Sequence, residues 1–90
     1  MQLGAHIVVH GIVQGVGYRW FAYRLASRLA LTGWVRNLMS GEVEIEVEGD
    51  RSAVEALLED LKVGPRSAHV KDLTIEWQGY GARFETFEIL

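Results

Sequence analysis

Two rhythms of hydrophobic and polar positions alternate along this chain. Residues 5–13 are rich in β-branched side chains and predict a strand. Ile7, Val9 and Val13 fall on one face, with His6, Val8, His10 and Ile12 on the other. Over residues 20–31 the spacing lengthens to four: Phe21, Leu25 and Leu29 line up beside Ala22 and Ala26, while Arg24, Ser27 and Arg28 point away. That is the signature of an amphipathic helix. A second strand is predicted over 33–39 and a third over 42–48, joined by a hairpin turn at Ser40-Gly41.

The third strand carries the cleanest alternation. Glu42, Glu44, Glu46 and Glu48 interleave with Val43, Ile45 and Val47, which predicts one buried face and one glutamate face in water. Asp50 then suits the N-cap of a second helix whose apolar stripe is Val54, Leu57, Leu58 and Leu61. Gly64-Pro65 ends it. Residues 69–78 alternate again, with Leu73, Ile75 and Trp77 on one face, and Phe84, Phe87 and Ile89 mark a last short extended segment.

The order is strand, helix, strand, strand, helix, strand, with a short strand added. With right-handed crossovers, both helices fall on one face of an antiparallel sheet. The expected fold is the α+β, ferredoxin-like βαββαβ sandwich with a short extra C-terminal strand, forming one domain over residues 1–90. Fold alone does not give function.

Composition narrows the chemistry. The chain has no cysteine, which removes disulfides, thiol nucleophiles and thiolate metal sites and fits a reducing, cytoplasmic setting. A net charge of −3 gives no electrostatic case for nucleic acid. No apolar run approaches the ~20 residues needed to span a bilayer, and no signal-peptide pattern opens the chain. A monomer is expected. His6 and His10 lie four residues apart, roughly 13 Å along a strand, too far to share a metal, and His69 is isolated in sequence. No metal site and no cofactor are expected.

The chemistry concentrates in Gly11-Ile12-Val13-Gln14-Gly15-Val16-Gly17-Tyr18-Arg19. A strand ends here in a glycine-spaced loop that leads into a helix. Such a loop can turn several N–H groups toward one point, and the positive end of the helix dipole favours the same negative charge. Arg19 adds a planar, permanently charged fork suited to phosphate oxygens. The stretch matches neither Gly-x-x-x-x-Gly-Lys-Ser/Thr nor the dinucleotide fingerprint. From these residues alone, a tight turn and an anion site both stand open.

This loop, followed by Gly33-Trp34-Val35-Arg36-Asn37, strongly resembles the acylphosphatases. The resemblance runs on through Gly41, Val43 and Ile45, through Gly64-Pro65 with Ala68 and Val70, and ends at Phe87 and Ile89, so it covers nearly the whole chain. It implies the same ferredoxin-like fold and hydrolysis of the carboxyl–phosphate bond of acyl phosphates. It further implies that Gln14, Gly15, Val16, Gly17, Tyr18 and Arg19 bind the substrate phosphate. Arg19 and Asn37 then form the catalytic pair, with Asn37 holding the attacking water, and inorganic phosphate inhibits as product. The amide of Asn37 and the guanidinium of Arg19 are expected to point into one crevice, with Arg36 on the opposite strand face.

The chain departs from the family pattern at Ala22, where many members carry threonine, and at Ala30, where glycine is common. If residue 30 needs a left-handed conformation, alanine costs on the order of 1 kcal/mol. Asp-Gly is common in the hairpin turn where this chain has Ser40-Gly41. Two other readings compete. One is a carbamoyl-phosphate-directed domain like those in larger hydrogenase-maturation proteins. The other is a non-enzymatic RNA- or protein-binding sandwich, in which Trp20, Trp34 and Trp77 would stack on bases; against it, these tryptophans are expected to pack between sheet and helices or beside the active crevice.

Overall fold

A computed structural model describes residues 1–90. The elements are β1 (Gln2–Ile12), α1 (Tyr18–Arg28), β2 (Thr32–Asn37), β3 (Val43–Asp50), α2 (Arg51–Val63), β4 (His69–Gln78) and β5 (Phe87–Ile89). The sheet order is β4-β1-β3-β2-β5. The first four strands pair antiparallel, and β5 adds to β2 in parallel, so the five-stranded sheet is mixed. The ferredoxin-like expectation holds, with the short last strand at one edge.

Strand alternation builds the core. Ala5, Ile7 and Val9 of β1, Val35 of β2, and Val43, Ile45 and Val47 of β3 are fully buried under the helices. From α2 come Val54, Leu57, Leu58 and Leu61, the stripe expected from spacing. Asp50 caps that helix by accepting from the Ser52 N–H.

Helix α1 differs from its expected form. It begins two residues earlier, at Tyr18, and its most buried line is Tyr18, Ala22 and Ala26, with Phe21, Leu25 and Leu29 half-buried at the flanks. Alanines at the centre let the helix lie close to the sheet, and the large side chains fill the sides. Its C-terminus closes with two reversed bonds, Leu31 N–H to the Ala26 carbonyl and Ala30 N–H to the Ser27 carbonyl. This is the Schellman arrangement, which requires a left-handed residue after the cap. Ala30 is that residue, at φ 58°, so the strain expected for alanine there is present.

The glutamate face of β3 is corrected. Glu46 is 7% and Glu48 1% exposed. The segment after β4 crosses that face, and the Gly81 N–H (2.8 Å), the Arg83 N–H (2.9 Å) and Arg83 Nε (3.2 Å) all donate to the Glu48 carboxylate. Arg83 also reaches Glu46 at 2.8 Å. Nearer the hairpin, Glu44 accepts from Arg36 and meets His6, while Glu42 meets His10. Alternation indicates which way a side chain points, but not that a strap from 33 to 37 residues further along the chain lies over it.

Candidate active site

Sheet order explains why distant residues meet. Strands β1 and β2 are both antiparallel to β3 and flank it, so they run in the same direction and end together. Val43 of β3 lies between Val9 of β1 and Asn37 of β2. Val35, Asn37 and Val43 therefore share the helix-side face, just where the chain leaves β1 and turns through residues 13–17 into α1. At this end a crevice of about 110 Å³ is lined by Val13, Gly15, Gly17, Tyr18, Arg19, Trp20 and Asn37. Arg19 and Asn37 line the same crevice, as the sequence reading expects.

The loop presents donors with no acceptor inside the protein. Gly15 (φ 74°) and Gly17 (φ 80°) adopt the left-handed conformation, and an added Cβ at either would meet nothing within 4 Å. The backbone bends there because glycine allows it, and it faces open space. Gly17 caps α1 without any side-chain hydrogen bond, and the first turn holds no acidic residue. The first main-chain bond of the region is from the Phe21 N–H to the Gly17 carbonyl. No N–H from Gln14 through Trp20 donates to a protein group. The helix N-terminus thus adds its free donors and its dipole to those of the loop.

The expected phosphate-binding residues divide by what their side chains do. Gly15, Gly17 and Arg19 face the crevice. Val16 does not line it and packs against the core. Tyr18 is buried, and its hydroxyl donates to the Leu61 carbonyl of α2 at 2.7 Å. Burial pushes that phenol well above its usual range, so Tyr18 offers the crevice backbone rather than a hydroxyl. Gln14 is likewise outside the lining. Its amide donates to the carbonyls of Leu38 (2.7 Å) and Glu42 (2.9 Å), tying the loop to the hairpin that follows Asn37. Arg36 lies on the other face, paired with Glu44 and over the Trp34 ring, as alternation predicts.

Three features escaped the sequence reading. Arg19 is held by a bond from Nη1 to the main-chain oxygen of Leu90 at 3.0 Å, and Leu90 is fixed by its N–H to the Val35 carbonyl. Val13 also lines the crevice, outside the residues expected to hold the phosphate. The third feature was open to inspection: residues 1–41 contain four arginines and no aspartate or glutamate, while all twelve acidic residues follow from Glu42 onward. All seven residues that line the crevice belong to the acid-free part.

A family model described as Acylphosphatase matches residues 5–89. An acylphosphatase from Anaeromyxobacter sp. (strain Fw109-5) is 46% identical over 85 residues, covering 94% of this chain and 91% of the relative. The crystal structure of acylphosphatase from Bacillus subtilis superposes with a TM-score of 0.95 at 35% identity, covering 98% of each chain. Full-length HypF in a phosphate- and nucleotide-bound form superposes at 0.87 with 27% identity, covering all of this chain but 12% of that protein. No helix here is long and apolar enough to cross a membrane.

Proposed function

The chain belongs to the acylphosphatase family, and from that premise we propose that it hydrolyses acyl phosphates at a site made by the 14–19 loop, Arg19 and Asn37. The observation that carries the site assignment is the run of backbone donors from Gln14 through Trp20, unanswered by any protein acceptor, in a crevice lined by Arg19 and Asn37.

The reaction is R–CO–O–PO₃ plus water, giving a carboxylate and inorganic phosphate. Loop N–H groups and the Arg19 guanidinium hold the phosphoryl oxygens and stabilise charge as it shifts among them. The Asn37 amide holds the attacking water in line with the P–O bond that breaks. The water oxygen bonds to phosphorus, and the acyl oxygen leaves with the bonding electrons. An amide is no base, so the water's proton passes to a phosphoryl oxygen. The leaving carboxylate has a conjugate acid of pKa about 4 and departs without a general acid. This is why a site with neither cysteine nor an acid–base pair suffices, and we take it to work without a metal. Tyr18 and Gln14 act by position: one seats the helix start on α2, the other joins loop to hairpin.

The same reading makes the protein a cytoplasmic monomer with no nucleic-acid partner, in keeping with its charge of −3. Assay of benzoyl phosphate hydrolysis with and without EDTA tests the reaction. Turnover insensitive to the chelator is expected, and no turnover of benzoyl phosphate refutes the activity. Carbamoyl phosphate in parallel separates the carbamoyl-directed reading, which requires that substrate to be strongly preferred.

A further inference from the structure

The crevice is small, about 110 Å³, and open to solvent on one side. With the phosphoryl group held by the loop and Arg19, the acyl group extends from it toward that opening. The side chains that line the crevice there decide which acyl groups are favoured.

Among the lining residues, one side chain offers a large apolar surface there. Gly15 and Gly17 have none, Val13 is buried, the Tyr18 ring is turned into the core, and Arg19 and Asn37 are polar. Trp20 is 60% exposed. It is the third residue of α1 and lines the crevice with the loop residues, and helical side chains lean toward the helix N-terminus, the side on which the loop lies. Single exposed apolar residues are common on surfaces, but this one is braced. The Tyr23 ring meets it edge-on, with centroids 5.4 Å apart and planes at 89°. Tyr23 in turn packs against the buried Phe87 of β5 at 6.3 Å. The indole is thus an exposed aromatic surface fixed to the core through a second ring, with little freedom to lose when a ligand covers it.

We infer that Trp20 is a specificity-determining residue that receives the acyl group, and that the enzyme favours acyl phosphates with planar aromatic acyl groups over small aliphatic ones. This rests on the acyl phosphate reading of the crevice. A ring against Trp20 gains the preference of aromatic pairs for stacked or edge-on contact, and an acetyl group gains little of it.

The test is the ratio of kcat/KM for benzoyl phosphate to that for acetyl phosphate. Trp20→Ala is expected to lower this ratio about two- to tenfold, and Trp20→Phe to restore most of it. The side chain is largely exposed, so both variants should fold, as circular dichroism will report. Wild-type protein active on both substrates, with a ratio that Trp20→Ala does not move, overturns this inference alone. Equal losses on both substrates also overturn it, because they report general damage to the site. Wild-type protein that hydrolyses neither substrate removes the acyl phosphate reading and this inference with it.

Discussion

Two regions of this fold gather backbone N–H groups beside an arginine. In the strap after β4, Ala82 takes a left-handed conformation (φ 51°), and the N–H groups on either side of it, from Gly81 and Arg83, both meet the Glu48 carboxylate. The Arg83 guanidinium completes the set. In the loop after β1, left-handed glycines and a helix start leave N–H groups without a protein acceptor beside a crevice that Arg19 also lines. The donor chemistry is the same in both places. At the strap the anion is part of the chain, covered and fully bonded, so the device holds the structure together. At the loop Arg19 gives one donor to the main-chain oxygen of Leu90, but no protein group answers the N–H donors, and the function we propose supplies their anion from outside. That difference separates a structural anion site from a functional one more clearly than the count of donors does.

The largest effects should come from breaking the loop side. Arg19→Ala and Asn37→Ala are each expected to lower kcat/KM by about 10²–10³, the usual loss for one preorganised group at a charged transition state. Steady-state kinetics with phosphate as inhibitor will split the two roles. Arg19→Ala should also weaken phosphate inhibition, whereas Asn37→Ala should reduce kcat and leave inhibition intact. Loss of inhibition in both alike would contradict the division of labour.

Breaking the strap should do the reverse. Glu48→Gln sets an amide donor against the donors of Gly81 and Arg83. It should cost about 2 kcal/mol of stability in urea unfolding, while folded protein keeps its kcat/KM. The same variant bears on acid stability. Burial pushes the Glu48 carboxyl up, but the bonds from Gly81 and Arg83 outweigh it and hold it below the ordinary range. Ser40 and His10 lower Glu42, and at Glu44 the His6 and Arg36 contacts outweigh burial. A carboxyl lowered in the folded state contributes stability above its unfolded pKa, about 4.3, and loses it as pH falls through the lower folded value. Urea midpoints should therefore hold from neutral down to about pH 5 and decline below it, with a shallower decline in Glu48→Gln. Parallel acid limbs for the two proteins would refute the role given to Glu48.

The smallest effects concern backbone strain. Ala30→Gly relieves a left-handed alanine and should stabilise by up to about 1 kcal/mol, raising Tm by about 4–8 °C. Ala82→Gly should do the same or less at the strap. Neither should alter kinetics. A fall in Tm for Ala30→Gly would show that the helix end is not strained as its φ indicates.

The two regions were unequally legible in the sequence. Arg19 and Asn37 could be paired because a short motif names each residue, and strand order brings the two strand ends together. The left-handed need at Ala30 could be anticipated for the same reason. The strap could not be read: Glu46 and Glu48 alternate like a solvated face, and only the tertiary path of residues 79–84 covers them. Nor could the roles within the loop be divided, because whether the Gln14 amide meets an outside anion or the carbonyls of Leu38 and Glu42 depends on where the hairpin lies. The centre of α1 was misjudged because its buried line is made by small residues, whose contribution is closeness rather than area.

The most direct test of the contrast between the two regions is phosphate binding by the wild type and by Arg19→Ala, measured by isothermal titration and by thermal shift. Phosphate at about tens of millimolar should raise the wild-type Tm by mass action, with a Kd matching its competitive inhibition constant against benzoyl phosphate, and Arg19→Ala should lose most of the shift. No wild-type binding in that range, or equal binding by both proteins, would contradict the assignment of the loop as the site that takes its anion from outside.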